Sequence, residues 1–216
     1  ETRVLGRIYP SGQQGSGKGL SIMAEQREMR LAGLGGQGLI LAGIIVAEAA
    51  GIYEGKEVAQ TQAYGAEARG GFSRSDVVIC DEEILFPKAS KLDFLLAMSQ
   101  SAYEENLPSL KKGGTLLVDS TYVSEVSGAH MFAIPFSKIA KQKFGRENVA
   151  NIIALGAITQ VFPIISEKAM EKAVLNRVPK RFIDMNKQAF KEGVNLGDEK
   201  VQESKQESLT DEEEEI

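Results

Sequence analysis

The sequence is poor in the residues that form disulfides and hold metals. Its 216 residues include one Cys, one His and no Trp. A disulfide needs two cysteines, an iron–sulfur cluster needs about four thiolates, and a closed zinc site needs about four Cys or His ligands. The chain therefore supplies none of these groups by itself. If it takes part in redox chemistry, the redox centre lies on another molecule.

Long apolar runs and a basic stripe are also missing. The longest unbroken run of apolar residues and glycine, residues 38–47, has about half the length that a membrane span requires. No apolar signal segment opens the sequence, and no cluster of Lys and Arg points to nucleic acid. We therefore predict a cytoplasmic protein with no membrane span and no nucleic-acid partner. The single Cys agrees with a reducing compartment.

The negative charge is concentrated at one end of the chain. The formal net charge is −5, yet residues 197–216 hold nine acids and two lysines, a net of −7. Residues 1–22 are rich in Gly and Ser and carry a net charge of +2, so the stretch between the two ends is neutral. We expect three parts: a flexible N-terminal extension at 1–22, an α/β domain at 23–196 and an acidic disordered tail at 197–216.

Strand-like and helix-like segments alternate through the central part. Strands are predicted at 29–32, 57–62, 76–80, 94–97, 115–119 and 131–134, and helices at 39–50, 103–110, 139–144, 149–161, 167–176 and 181–192. This alternation is typical of a three-layer α/β/α fold with a largely parallel, Rossmann-like sheet. Ligands in such folds bind beyond the carboxyl ends of the strands, so the loops after residues 32, 62 and 97 are candidate sites.

A glycine-rich loop follows the first of these strands. Gly33-Leu34-Gly35-Gly36-Gln37-Gly38 fits the dinucleotide pattern G-x-G-x-x-G between a strand and a helix. NAD binding would also require an acid at the end of the second strand, where the sequence has none. Three interpretations stay open: a phosphate- or backbone-contacting loop, which we favour, an ordinary NAD or FAD site, and glycines needed only for close helix–sheet packing.

A second group of polar residues and glycines follows the second strand and is expected at the same edge of the sheet. It contains Tyr64, Glu67, Arg69, Gly70 and Gly71. Arginine suits phosphate because its guanidinium donates hydrogen bonds in pairs. The alternative is a solvated loop with surface ion pairs. Elsewhere, His130 and Cys80 are expected to be structural residues, at a strand edge and in a buried strand respectively.

Two predicted helices are apolar on more than one face. Residues 39–50 contain a single charged residue, and residues 149–161 carry Gly156 in the helix interior. A mid-helix glycine costs about 1 kcal/mol relative to alanine, which suggests that another backbone approaches closely there. Both helices are either buried within the fold or covered by another subunit, and the small size of the chain favours subunit contact.

Two glycine-rich segments follow one another in the chain, first RLAGLGGQGLILAG and then VAQTQAYGAEARGGFSRSDVVI. In this order and spacing they resemble the gamma subunit of 2-oxoacid:ferredoxin oxidoreductases, most of all the 2-oxoglutarate type. The similarity spans about residues 29–195. Ala63 and Ala66 depart from the Ser and Pro that are usual in the family. The resemblance implies an enzyme of alpha, beta, gamma and delta (ferredoxin-like) subunits with ferredoxin as the electron acceptor.

The resemblance also implies where the chemistry takes place. Thiamine diphosphate, Mg²⁺ and iron–sulfur clusters would lie on partner subunits, coenzyme A would be a shared substrate, and this chain would bind no cofactor alone and carry no catalytic residue. Residues near coenzyme A or the subunit joint would be Gly35, Gly36, Gln37, Gly38, Tyr64, Glu67, Arg69, Gly70 and Gly71, although relatives carry lysines where this chain has Glu67-Ala68-Arg69. The alternative function is a free-standing Rossmann-type NAD or flavin oxidoreductase.

Overall fold

The computed structural model describes residues 3–4, 25–65, 70–126 and 130–214, of which 3–4 and 207–214 are described by backbone alone. Seven strands of this part of the chain form one sheet in the order β1-β3-β4-β2-β5-β6-β7. They are β1 (Arg3–Val4), β2 (Arg27–Leu34), β3 (Glu57–Tyr64), β4 (Phe72–Cys80), β5 (Leu92–Ala97), β6 (Leu110–Asp119) and β7 (Met131–Ile134). All six predicted strands are present, and β1 is an addition.

Five of the seven strands run in the same direction, so the sheet is largely parallel, as predicted. β2, β5, β6 and β7 are parallel neighbours. β4 lies between β3 and β2 and is antiparallel to both. The connection from β3 to β4, residues 65–71, explains this pairing, because a parallel return needs a crossover of about a dozen residues or more.

Helices cover the two faces of the sheet unequally. One face carries α1 (Leu39–Glu48, continued by a π turn at Ala49–Tyr53), α3 (Phe136–Phe144), α4 (Ala150–Val161), α5 (Glu167–Arg177) and α6 (Ile183–Glu214). The other face carries α2 (Gln100–Asn106) and the segments that flank it. The predicted three-layer α/β/α architecture is therefore confirmed, with a thick layer on one face and a thin layer on the other.

The interior of the thick layer explains one of the two apolar helices, α4, whereas cover of α1 by another subunit stays a prediction. Eleven of the twelve residues of α4 are buried, and α6 crosses over them. A Cβ atom on Gly156 would overlap the carbonyl oxygen of Phe190, and one on Gly193 would overlap that of Ile153. The backbone that approaches Gly156 thus belongs to the same chain. The favoured prediction that another subunit covers α4 is wrong, because α6 already does.

The C-terminal segment also differs from its prediction. Helix α6 continues from Ile183 to Glu214 without a break at residue 197. Gly197 is buried against Ala157, and Val201 packs on the same core. Gly193, Gly197 and Val201 are four residues apart and thus lie on one helical face. The prediction that the chain is disordered from residue 197 onwards is therefore wrong for the first residues of that segment, because this helical face packs on α4.

The predicted N-terminal extension, residues 1–22, lies outside the described residues except for β1, which pairs antiparallel with β3 at Ala59 and Gln60. In the part of the chain that the structure describes, no helix combines the length and apolar character needed to cross a membrane.

Candidate functional site

A crevice opens where the neighbouring strands β2 and β5 end. The chain leaves β2 for α1 on one face of the sheet and leaves β5 for α2 on the other. Such a switch point leaves a gap beyond the carboxyl ends of the strands, where α/β proteins bind their ligands. The cavity here measures about 730 Å³. Among described residues its walls are 34–37, 70, 98–101, 122, 137, 147–148 and 150.

Gln37 fixes the glycine loop to the wall of this crevice. Its Oε1 atom accepts a hydrogen bond of 2.7 Å from the backbone N–H of Leu34, and its Nε2 atom donates one of 2.8 Å to the carbonyl oxygen of Met98. The side chain thereby joins the end of β2 to the end of β5. We predicted Gln37 as a ligand-binding residue, and the structure shows its amide engaged within the protein at the crevice wall.

The two glycine-rich segments meet at the crevice edge, as their positions after β2 and β3 predicted. The N–H of Gly35 donates a 2.7 Å hydrogen bond to the carbonyl oxygen of Gly71. Gly35, Gly36 and Gly70 all line the cavity. Gly36 and Gly70 have φ angles of 97° and 71°, a region that favours glycine. The loop geometry therefore depends on glycine for its turns.

The other predicted site residues have different positions. Gly38 caps the start of α1 with a φ of 75°, and Asn151 of α4 donates a 3.1 Å hydrogen bond to its carbonyl oxygen. Tyr64 ends β3 with 64% of its surface exposed and does not line the cavity. Glu67 and Arg69 lie outside the described residues. The structure thus brings together five of the nine predicted residues, namely Gly35, Gly36, Gln37, Gly70 and Gly71.

A tyrosine–glutamate pair forms another part of the cavity wall and was not predicted. Tyr122 follows β6, Glu147 lies in the turn before α4, and the Tyr122 hydroxyl donates a hydrogen bond to Oε1 of Glu147. This bond, with burial and the charges of Glu147 and Asp119, raises the pKa of the Tyr122 phenol. The strand-end rule could have identified Tyr122, but no sequence motif connects it to Glu147.

The geometry disfavours an ordinary dinucleotide site. The strand that follows β2 in the chain, β3, is not its neighbour, because β4 lies between them. The parallel neighbour of β2 is β5, which ends at Ala97 and is followed by Met98 and Ser99, with no acid there. A carboxylate that could bind a ribose hydroxyl is thus missing from the end of β5. Among the described residues, no group of three or more His, Cys, Asp or Glu could hold a metal ion.

Fold and crevice together define a class of α/β domains that bind a ligand at the carboxyl edge of a largely parallel sheet. Within this class the chain belongs to the pyruvate ferredoxin/flavodoxin oxidoreductase family, whose sequence model matches residues 28–196. The resemblance found in the two glycine-rich segments is thereby confirmed.

Three relatives make the assignment more specific. The chain is 48% identical over 179 residues to 2-oxoglutarate synthase subunit KorC of Methanocaldococcus jannaschii, an alignment that covers 81% of this chain and 95% of the relative. A solved gamma subunit of a keto/oxoacid ferredoxin oxidoreductase from Geobacter sulfurreducens is 44% identical, with a TM-score of 0.73 and coverage of 84% and 99%.

The third relative is a 2-oxoglutarate:ferredoxin oxidoreductase from Magnetococcus marinus, solved with 2-oxoglutarate, coenzyme A and succinyl-CoA bound. It is 27% identical, with a TM-score of 0.71, and the similarity covers 80% of this chain and 31% of the relative. The domain described here therefore corresponds to about a third of that longer chain.

Proposed function

We propose that this chain is the gamma subunit of a 2-oxoglutarate:ferredoxin oxidoreductase and forms one wall of its coenzyme A site. The observation that carries the proposal is the contact between the two glycine-rich segments, Gly35 to Gly71, at the edge of a crevice. The similarity to KorC and to a structure solved with coenzyme A supports it. In this role the chain binds and orients the acyl acceptor and takes part in no bond-making step.

The rest of the enzyme lies on partner chains in this proposal. Alpha, beta and delta subunits hold thiamine diphosphate, Mg²⁺ and iron–sulfur clusters, which decarboxylate the 2-oxoacid and pass electrons to ferredoxin. The lone Cys of this chain, Cys80, is buried in β4. The purified chain is therefore expected to show no 2-oxoacid-dependent dye reduction, whereas the co-expressed complex does. Activity of the chain alone would contradict the assignment of a supporting subunit.

Substitution of Arg69 tests the coenzyme A site directly. Arg69 immediately precedes Gly70 of the crevice wall. A charged hydrogen bond to phosphate contributes about 1.5–3 kcal/mol, so Arg69→Ala is expected to raise the KM for coenzyme A about tenfold or more in the assembled enzyme. The KM for the 2-oxoacid should change little, because that pocket lies on other subunits.

The matched control is Arg181→Ala, an exposed arginine in the turn before α6 that does not line the cavity. It should leave both KM values within about twofold of the parent enzyme. Equal effects of Arg69→Ala on the two substrates would contradict the placement of coenzyme A at this crevice.

A further inference from the structure

A second exposed surface lies at the end of the sheet opposite the crevice. It is the tip of the loop between β4 and β5, residues 81–91, where Leu85 and Phe86 have 63% and 69% of their surface exposed. This loop crosses the end of the sheet at which β2 begins, whereas the crevice lies beyond the end of β2. Adjacent apolar side chains that are exposed and rimmed by polar residues mark a surface that contacts another molecule.

The loop is anchored on both sides of its tip. Before the tip, Ile84 packs on the core of the thin layer, and after it Ala89 is buried and accepts a 3.4 Å hydrogen bond from the Arg30 guanidinium. The backbone N–H of Lys91 donates a bond of 2.8 Å to the carboxylate of Glu28. The four residues between the two anchors are all exposed. A tip that is already ordered loses little conformational entropy when another molecule covers it.

Charges of opposite sign flank the apolar tip. Three exposed acids, residues 81–83, precede it, and two exposed lysines, Lys88 and Lys91, follow it. The acidic end lies on the β3 side of the loop, where Asp81 is 3.5 Å from Lys56, and the basic end lies against β2. Because β4 lies between β3 and β2, about 10 Å of sheet separates the two ends. In the part of the chain that the structure describes, the other two acids and both lysines have no ion-pair partner.

This order of charges is self-complementary under a two-fold rotation. In a symmetric dimer both copies use the same surface, so that residue i of one copy meets residue j of the other and the reverse. A two-fold axis at the tip brings Leu85 and Phe86 of the two copies together and sets the acids of each copy opposite the lysines of the other. Both flanks are then attractive, whereas a partner with charges of one sign would be repelled at one flank.

We propose that a second copy of this chain docks on the loop 81–91 and forms a symmetric contact with Leu85 and Phe86 at its centre. The loop has 11 residues, about half of the 20–30 residues that each side of a standard interface contains, so the contact by itself gives a weak dimer. Where further subunits hold the two copies near each other, the higher effective concentration keeps the contact occupied. The loop is about 20 Å from the crevice along β2, so the contact is independent of the coenzyme A site.

Sedimentation velocity of the purified chain at increasing concentration tests this contact. The parent chain should form dimers, and Phe86→Ser should raise the dissociation constant of the dimer at least about tenfold, because central aromatic residues anchor interfaces. The matched control is Ile52→Ser, a change at a residue that is 64% exposed in the π turn after α1. It should leave the dissociation constant within about twofold of the parent.

A charge exchange tests the symmetry of the contact. One variant combines Glu82→Lys with Glu83→Lys, and the other combines Lys88→Glu with Lys91→Glu. All four positions are exposed, so both chains should fold as the parent does. Each variant alone should be monomeric at concentrations where the parent is a dimer, because like charges then face each other on both flanks. An equal mixture of the two should recover the dimer, because each new lysine faces a new glutamate.

Three results would overturn the proposal. The first is a parent chain that remains monomeric up to about 1 mM. The second is a Phe86→Ser chain that dimerises as strongly as the parent, which would place the contact elsewhere on the molecule. The third is either a charge variant that dimerises alone or a mixture of the two variants that stays monomeric, since both results contradict the two-fold arrangement.

Discussion

Glycine has different physical roles at the helix crossing and at the crevice. Where α4 meets α6, Gly156 and Gly193 are needed because an added Cβ would overlap the backbone of the other helix. At the crevice, Gly36 and Gly70 have open space where a Cβ would lie, but their positive φ angles are unfavourable for other residues. One region needs glycine for packing and the other for backbone conformation.

This difference separates stability from binding within one domain. The crossing is buried, and a change of side-chain rotamer cannot relieve a clash between two backbones in a close-packed interior. The crevice loop is partly exposed and held by a few hydrogen bonds, among them those of Gln37. Substitutions at the crossing should therefore reduce stability strongly, whereas those at the crevice should have smaller effects on stability and visible effects on binding.

The largest effect is expected for Gly193→Ala. The new methyl group would meet the carbonyl oxygen of Ile153, and α6 would have to move away from α4. Overpacking of a core costs about 1–3 kcal/mol and sometimes more, and this loss exceeds the gain of about 1 kcal/mol in helix propensity. Because the atoms that would overlap belong to two backbones, the cost lies at or above the upper end of this range, and we expect a net loss of more than about 2 kcal/mol, measured by denaturant unfolding of the chain.

The control for this change is Asn195→Ala, two residues further along α6 at an exposed position. It has the same helical context without the clash, so its unfolding free energy should stay within about 0.5 kcal/mol of the parent. Equal stability of the Gly193→Ala and Asn195→Ala variants would show that α4 and α6 do not cross as closely as described.

A smaller loss of stability is expected for Gln37→Leu at the crevice. The change leaves the Leu34 N–H and the Met98 carbonyl without their partner. A typical hydrogen bond contributes about 0.5–1.5 kcal/mol, so the two together predict a loss of about 1–2 kcal/mol. The KM for coenzyme A in the assembled enzyme should rise as well, because the loop loses its anchor. Gln188→Leu, at an exposed position of α6, is the control for both measurements.

An unchanged KM with reduced stability would limit Gln37 to a structural role and would weaken the proposed site. An unchanged stability with a raised KM would indicate instead that the amide binds the ligand, as the sequence alone suggested.

Local pattern was sufficient to predict the strands and the position of the glycine loop. β2, the loop and α1 form one continuous segment, so the sequence 33–38 contains its own structural context. The meeting of Gly35 with Gly71 followed from the rule that loops after parallel strands share an edge. These features depend on neighbours in sequence or on a general property of the fold class.

Features that depend on residues far apart in sequence could not be predicted from local pattern. The position of β4 between β3 and β2 depends on which strands pair, and the hydrogen bond between Tyr122 and Glu147 joins two loops that share no sequence motif. Composition was misleading at residue 197, because the acidic residues outweighed the repeat of small and apolar residues at 193, 197 and 201. That repeat marks a helix face which packs on α4.

The smallest effect is expected at the far end of α6, and a pair of truncations measures it. Removal of residues 207–216 leaves Gly197 and Val201 in place on the core, so the melting temperature should change by less than about 2 °C.

Removal of residues 197–216 also removes the residues that cover Ala157 of α4. Exposure of apolar surface costs about 25 cal/mol per Å², and about 1 kcal/mol shifts the melting temperature of a domain of this size by about 2–4 °C. We therefore expect a drop of several degrees for the longer deletion alone. Equal melting temperatures of the two truncated chains would show that α6 ceases to stabilise the fold at residue 196, and a large drop for the shorter deletion would show that residues 207–216 contact the domain.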